Sequence, residues 1–183
     1  MKKVTLLGDS IRLNYEQRTT ELLGPDYEVV RFDDNGRFAS YTLRTLFDCH
    51  DAIAGSDVIH WNNGHWDLCD LFGDGSFTPV SVYVETLKRI AGLLLKITPH
   101  VIFATTTPVR PANTYNANDV IDRFNEAAAE ALRPMGIVIN DLNAELRDDI
   151  DGNICDDLIH LTGKGTELCA QKVAAAIREA AGE

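Results

Sequence analysis

Two short segments at opposite ends of the chain carry residue types that can perform nucleophilic chemistry. Ser10 follows Gly8 and Asp9 directly after an apolar run, and Asp157 lies three residues before His160, ahead of the last helical pattern. A serine hydroxyl is too weakly acidic to attack a carbonyl unaided, so it needs a base that a carboxylate can orient. The spacing therefore predicts a hydrolase in which Ser10 is the nucleophile, His160 the general base and Asp157 its partner.

Alternative interpretations of these segments exist. The order Ser, Asp, His also occurs in α/β-hydrolases, but Arg12 stands where the second glycine of their Gly-x-Ser-x-Gly turn would be. Ser10 could act only as a helix cap, and Asp156 is next to Asp157 but has the wrong spacing to His160. The GDS segment at residues 8–10 and the DLIH segment at residues 157–160 resemble the conserved blocks of the SGNH (GDSL-like) esterase family. Because these blocks stand near the two ends, the resemblance spans almost the whole chain.

The rest of the sequence alternates short apolar runs with helical patterns. Strand-length runs occur at residues 4–7, 27–30, 58–61, 101–104 and 137–139, and apolar stripes at helical spacing cross residues 80–94, 121–132 and 169–180. This alternation predicts a single α/β domain over residues 1–183, a three-layer α/β/α sandwich with a five-stranded parallel sheet. The resemblance implies the flavodoxin-like SGNH hydrolase fold, strand order 2-1-3-4-5, with the active site at the carboxyl ends of the strands.

The resemblance also implies an oxyanion hole, the set of donors that binds the negatively charged oxygen of the tetrahedral intermediate. Its family members supply the N–H of the nucleophile, here Ser10, and that of a glycine after the second strand, which corresponds to Gly36. The third donor is normally the Asn of a Gly-x-Asn-Asp block, but Trp66 replaces it in the GHWD segment at residues 64–67. The stretch NNGHW at residues 62–66 resembles instead the PC-esterase block, which predicts Asn62 as the donor and Asn63 as the alternative.

Composition limits the class of partner. The chain has 183 residues and a net charge of -11, so nucleic acid and anionic membranes should be repelled. No apolar run is long enough to cross a membrane, and the run that follows Met1 is too short for a signal peptide. The four cysteines have no metal-binding spacing, and His60 and His65 should face different sides of their segment. We therefore expect a cytoplasmic protein without a cofactor or metal, whose oligomeric state the sequence does not indicate.

The predicted activity is hydrolysis of an ester through an acyl-enzyme on Ser10. The PC-esterase-like block favours a small acyl group such as acetyl, carried by a small molecule or a glycan. The alternatives are a lipase or thioesterase for longer acyl chains, an acyltransferase, and a carbohydrate-binding protein without turnover. Two long connections, residues 68–79 and 105–118, leave the carboxyl ends of strands and are expected to border the site. Asn118 or Asp119 and Thr162 are predicted helix caps.

Overall fold

The computed structural model describes residues 1–183, which form five strands and nine α-helices. The strands are β1 (Lys2–Leu7), β2 (Tyr27–Val30), β3 (Val58–Asn62), β4 (Val101–Ala104) and β5 (Val138–Asn140). The helices are α1 (Ser10–Leu23), α2 (Ala39–Asp48), α3 (His50–Ile53), α4 (His65–Leu68), α5 (Val80–Leu94), α6 (Asn118–Leu132), α7 (Leu142–Arg147), α8 (Ile150–Asn153) and α9 (Gly163–Ala180). A 3₁₀ turn at Arg133–Met135 follows α6.

The sheet is entirely parallel, in the order β2-β1-β3-β4-β5, which confirms the predicted fold class and strand order. In the central pair, Leu7 of β1 is level with Trp61 of β3, so these two strands end almost together. The segments that follow them, Gly8 onward and Asn62 onward, are therefore neighbours at one edge of the sheet. This is the edge where the chain order reverses and where open parallel sheets bind ligands.

Helices cover both faces of the sheet, and each face has its own apolar core. On one face, α2, α5 and α6 contribute side chains such as Leu46, Leu87 and Phe124, all of them buried. On the other, α1 and α9 contribute Tyr15 and Val173 among others. Burial of strands from both sides explains why the strand segments are continuously apolar rather than alternating. It also fixes α1, the first helix, directly beside α9, the last.

Local caps decide where two of these helices begin. The Asp9 carboxylate accepts from the N–H of Ile11 at 2.9 Å and starts α1. The Thr162 hydroxyl accepts from the N–H of Gly165 at 3.1 Å and starts α9, which confirms the predicted cap. The prediction for α6 was wrong. Asn118 is its first helical residue, and its side chain binds both backbone groups of Val109 across the preceding loop instead.

No helix combines the length and the apolar character that a membrane crossing requires. All four cysteines are free thiols, and Cys69 and Cys169 are buried.

Candidate active site

Ser10 is the first residue of α1, directly after the turn that leaves β1. First-turn N–H groups have no acceptor inside their own helix, and Asp9 takes only that of Ile11. The Ser10 N–H is thus left without a protein acceptor, at a helix terminus whose partial positive charge also favours an anion. The side chain of Ser10 is partly exposed at this position.

A continuous chain of hydrogen bonds joins the three predicted residues. Ser10 Oγ lies 2.8 Å from His160 Nε2, and His160 Nδ1 lies 2.7 Å from Asp157 Oδ2. An ionised carboxylate can only accept hydrogen bonds, so Nδ1 must carry the imidazole proton. Nε2 of the neutral ring is then free to accept the proton of the Ser10 hydroxyl. The structure thus brings together residues that are 150 positions apart, in the geometry that general-base activation of a serine requires.

The Asp157 carboxylate is held by its own loop. Its Oδ1 accepts from the N–H groups of His160 at 2.9 Å and Ile159 at 3.1 Å, which leaves Oδ2 for the imidazole. Partial burial raises the pKa of Asp157, but these hydrogen bonds outweigh that effect and hold the pKa below its usual value. Asp157 therefore stays ionised and fixes the tautomer of His160. Leu158, between the two, has a left-handed backbone with φ of 74°.

Gly36 lies in the loop after β2, where its N–H makes a contact that differs from its predicted role. That group donates to the Gly8 carbonyl at 2.8 Å, so it is not free to bind a substrate oxygen in this arrangement. The approach is so close that a Cβ on Gly36 would lie 2.4 Å from the Gly8 carbonyl oxygen. The guanidinium of Arg12, which is 1% exposed, supports the same loop by donating to the carbonyls of Phe32 at 2.6 Å and Asp34 at 2.7 Å.

The two predicted carboxamides are buried, and neither is among the residues that line the cleft. Asn62 Nδ2 donates to Asp9 Oδ1 at 2.7 Å, which engages one of its two protons, and Asn62 Oδ1 has no partner. Asn63 Nδ2 donates to the Arg37 carbonyl at 3.1 Å. Asn62 is therefore beside the turn that carries Ser10, whereas Asn63 supports the loop after β2. Trp66 is 37% exposed and borders the cleft.

Two buried carboxyl groups surround this turn. Burial raises the pKa of Asp9 to about 6, although hydrogen bonds from Asn62 and Ile11 oppose the shift. Burial likewise raises the pKa of Asp67 to about 6, against a hydrogen bond from the Ala39 N–H at 2.8 Å. Asp67 thus connects the segment after β3 to the start of α2. Neither carboxyl group lines the cleft, and each instead holds the backbone near it in place.

Ser10, Asp157 and His160 line a cleft of about 330 Å³. Its other walls come from the loops after β2, β3 and β4. The lining residues are Ser10, Asn35, His65, Trp66, Cys69, Leu71, Asn113, Tyr115, Asn116, Asp157, Ile159 and His160. Both long connections contribute, which confirms the expectation that they border the site. No lysine or arginine lines this cleft.

His65 is a buried, neutral member of this wall. Burial lowers its pKa to about 3, and its Nε2 lies 3.0 Å from the Thr107 hydroxyl. His60 lies within β3, where its Nε2 is 3.2 Å from Asn140 Nδ2. The two imidazoles have separate partners, and no group of three or more metal-binding side chains occurs in the structure.

Sequence reasoning missed Asn14, whose Oδ1 accepts from the N–H of Leu161 at 3.1 Å and ties the histidine segment to α1. Its spacing of four from Ser10 places both on one face of the helix and was an available signal. It also missed Asn35, Asn113 and Asn116, which lie on predicted loops but have no motif of their own.

No protein-family model matches the chain, and no curated protein matches it either. Solved structures do resemble it. A lipase/acylhydrolase from Enterococcus faecalis superposes with a TM-score of 0.80 and 18% identity, over 98% of this chain and 96% of that one. The acetylxylan esterase Axe2 from Geobacillus stearothermophilus has a TM-score of 0.77 and 15% identity, over 96% and 94%. The acetyl xylan esterase AlAXEase has a TM-score of 0.74 and 18% identity, over 96% and 99%.

The fold is that of these acyl hydrolases. The likeness covers nearly the whole of each chain, so it includes the sheet order and both helical layers. At 15–18% identity it establishes architecture, and activity must be argued from the residues of this chain.

Proposed function

We propose that this protein is a serine esterase that forms and hydrolyses an acyl-enzyme on Ser10. The observation that carries the proposal is the continuous hydrogen-bond chain from Ser10 Oγ through His160 to Asp157. A serine and a histidine in contact are common on protein surfaces. A contact in which a carboxylate also fixes the histidine tautomer is the arrangement that activates a serine for acyl transfer.

In the first half-reaction, His160 Nε2 takes the hydroxyl proton as Ser10 Oγ attacks the ester carbonyl carbon. The tetrahedral intermediate collapses, the C–O bond to the leaving group breaks, and the imidazolium gives its proton to the departing alkoxide. In the second, His160 takes a proton from the water that attacks the acyl carbon, the bond from that carbon to Ser10 Oγ breaks, and the imidazolium returns the proton to Oγ as the acid leaves. Asp157 remains ionised throughout and stabilises the imidazolium.

The developing oxyanion needs donors. The Ser10 N–H is one. We propose the second Nδ2 proton of Asn62 as another, because Asp9 engages only one of the two protons on that nitrogen. Asn63 is the alternative. The Gly36 N–H can contribute only if its bond to the Gly8 carbonyl opens when substrate binds.

A small acyl group such as acetyl, on a neutral carbohydrate or small molecule, is the proposed substrate. The cleft is about 330 Å³, has no lysine or arginine and combines exposed aromatic rings with three carboxamides, a composition that suits hydroxyl-bearing rings. Two of the structural neighbours carry the name acetylxylan esterase. The net charge of -11 disfavours an anionic substrate.

A second candidate is a lipase or thioesterase for longer acyl chains. Leu71 and Ile159 supply apolar surface within the cleft, and another neighbour is named a lipase/acylhydrolase. Acyl transfer to a sugar instead of water would share the first half-reaction. A carbohydrate-binding protein without turnover would keep the cleft but make no use of the triad.

The test is turnover of p-nitrophenyl esters from acetate to decanoate, together with labelling by a fluorophosphonate. We expect highest kcat/KM for acetate, labelling of one serine, and loss of both in Ser10→Ala and His160→Ala. Because the triad acts as a unit, the double variant should lose little more than either single one. Ser40→Ala, which removes an exposed serine on α2, is the matched control. Full activity in Ser10→Ala would refute the proposal, and a maximum at long chains would favour the lipase alternative.

A further inference from the structure

Arg110, in the loop between β4 and α6, makes an unusual set of contacts with the segment that carries Asp157 and His160. Its Nε donates to the Ile154 carbonyl at 2.8 Å, and a terminal nitrogen donates to the Asp151 carbonyl at 2.9 Å. The other terminal nitrogen donates to Asp156 Oδ1, also at 2.9 Å. A planar guanidinium with donors in a fixed fork can satisfy several acceptors at once in this way.

The backbone of Arg110 contributes a fourth bond, from its N–H to the Leu158 carbonyl at 3.0 Å. Leu158 is the left-handed residue between Asp157 and His160, with φ of 74°. A leucine adopts that conformation only where surrounding contacts enforce it. The strained residue of the catalytic loop is therefore fixed by the same residue whose side chain binds the rest of the loop.

Few other contacts hold this segment in place. Within residues 154–158, every hydrogen bond to a part of the chain outside residues 150–162 comes from Arg110. The remaining bonds are internal, as in the donation from the Cys155 N–H to the His160 carbonyl at 2.7 Å. On the far side of His160 the anchor is Asn14, through Leu161. The histidine is thus held between α1 on one side and Arg110 on the other.

The ion pair with Asp156 explains little of this arrangement. The Asp156 side chain is 98% exposed, and exposed pairs contribute little because water and salt screen them. The Arg110 side chain is only 23% exposed and gives two of its donors to backbone carbonyls. These carbonyl contacts fix the path of the loop, whereas the carboxylate contact adds a surface charge pair.

We propose that Arg110 is a positioning residue that holds Asp157 and His160 in register with Ser10. The inference rests on the proposed function, because it assigns Arg110 a part in the same reaction. Asn113, Tyr115 and Asn116 of the same loop line the cleft, and the Asn113 N–H donates to the Arg110 carbonyl at 2.9 Å. Arg110 therefore joins the substrate-facing part of this loop to the base.

The kinetic test replaces Arg110 with Met, which keeps the length of the stem but removes every side-chain donor. Displacement of a catalytic group by about 1 Å can cost about 10²-fold in rate, so we expect kcat to fall ~10- to 100-fold with little change in KM. Asp156→Ala should keep most of the turnover, because the carbonyl contacts remain. Arg147→Met, which removes a half-buried arginine bound to Asn143 and Asp122, is the matched control. Guanidinium at low concentration should partly rescue Arg110→Ala, whereas sodium chloride should not.

A second readout does not depend on turnover. In the wild type, the Nδ1–H proton of His160 should give a low-field NMR signal, because its bond to Asp157 slows exchange with water. We expect this signal to weaken or vanish in Arg110→Met and to persist in Arg147→Met, with both proteins folded by circular dichroism.

The outcomes separate the two proposals. If Arg110→Met lost the signal but the wild type showed no measurable ester turnover, the positioning role would be supported and the esterase refuted. Turnover that depends on Ser10 but survives intact in Arg110→Met, with the signal unchanged, would overturn the positioning role alone. A fall in kcat explained fully by fewer fluorophosphonate-labelled sites would also overturn it, since Arg110 would then affect only the folded fraction.

Discussion

At the scale of single residues, the donors around the proposed oxyanion distinguish this chain from the pattern it resembles. Trp66 occupies the usual carboxamide position, and the nearby carboxamides have different neighbours. Asn62 binds Asp9 beside the Ser10 turn, Asn63 binds the loop after β2, and Asn35 lines the cleft itself. Their contacts therefore predict different consequences of removal.

Asn62→Ala is expected to lower kcat by ~10²-fold while KM changes little, because an oxyanion donor acts mainly in the transition state. Asn63→Ala should have a milder effect on kcat and should chiefly lower the melting temperature, since its side chain supports the Arg37 carbonyl. Steady-state kinetics and thermal unfolding of the two variants provide the comparison. If Asn63→Ala lowered kcat strongly and Asn62→Ala did not, the oxyanion donor would be Asn63 rather than Asn62.

Asn35→Ala is the third arm of that comparison, because this carboxamide alone of the three lines the cleft. If only this variant lost turnover, the donor would belong to the loop after β2. If none of the three lost turnover, backbone N–H groups would suffice, and the likeness of NNGHW to the PC-esterase block would not extend to its chemistry.

At the scale of elements, the site depends on two turns that a backbone hydrogen bond joins. The turn after β1 and the loop after β2 meet at Gly8 and Gly36, where neither position has room for a side chain. At Gly8, a Cβ would lie 1.9 Å from Asn62 Oδ1, and the φ of 144° is itself unfavourable for other residues. The close contact fixes the distance between Ser10 and the loop that carries Asn35.

Gly36→Ala is therefore expected to destabilise the protein by ~1–3 kcal/mol, the range for overpacking a tight contact, and to reduce turnover as well. Gly92→Ala is the matched control, because Gly92 is in the interior of α5 with nothing within 4 Å of the added methyl group. That change should instead stabilise by ~0.5–1 kcal/mol, since alanine is the better helix former. Chemical denaturation of both variants checks the contrast, and equal effects at the two positions would contradict it.

The elements themselves were predictable, and the contacts between their ends were not. The apolar run at residues 58–61 gave the position of Val58–Asn62 within one residue, because a strand buried on both faces must be continuously apolar. Ser10, Asp157 and His160 were recognisable from their motifs. The bond between the Gly36 N–H and the Gly8 carbonyl depends on the distance between two backbones, which no local pattern encodes. Arg110 was missed for the same reason, since its acceptors are 41 to 46 positions away.

At the scale of the whole molecule, four buried ionisable groups near the sheet end act on stability in opposite directions. Burial lowers the pKa of His60 and His65 from 6.5 to about 3, so acid destabilises the folded state through them. Burial raises the pKa of Asp9 and Asp67 from 3.8 to about 6, so stability through them falls as the pH rises. Between about pH 4.5 and 5.5 the contributions of these two pairs to the pH dependence should nearly cancel each other.

His60→Gln should remove that balance. Among these four positions one histidine then opposes two aspartates, so the folded state gains about one bound proton over the unfolded state relative to the wild type. The slope of the unfolding free energy against pH should therefore be more negative than in the wild type by ~1.4 kcal/mol per pH unit in this window. His50→Gln, at an exposed histidine, should leave the wild-type slope unchanged. Urea denaturation at several pH values measures the slope, and a slope unchanged by His60→Gln would show that burial does not keep this imidazole neutral.

The pairing of α1 with α9 has a consequence for the making of the protein. Ser10 and His160 come from the two ends of a chain in which 150 positions separate them. A ribosome synthesises Ser10 early, and His160 follows only after all five strands of the sheet have been made. A growing chain therefore carries Ser10 without its proposed base, and under the proposed function ester cleavage by a nascent chain would report the arrival of the His160 segment.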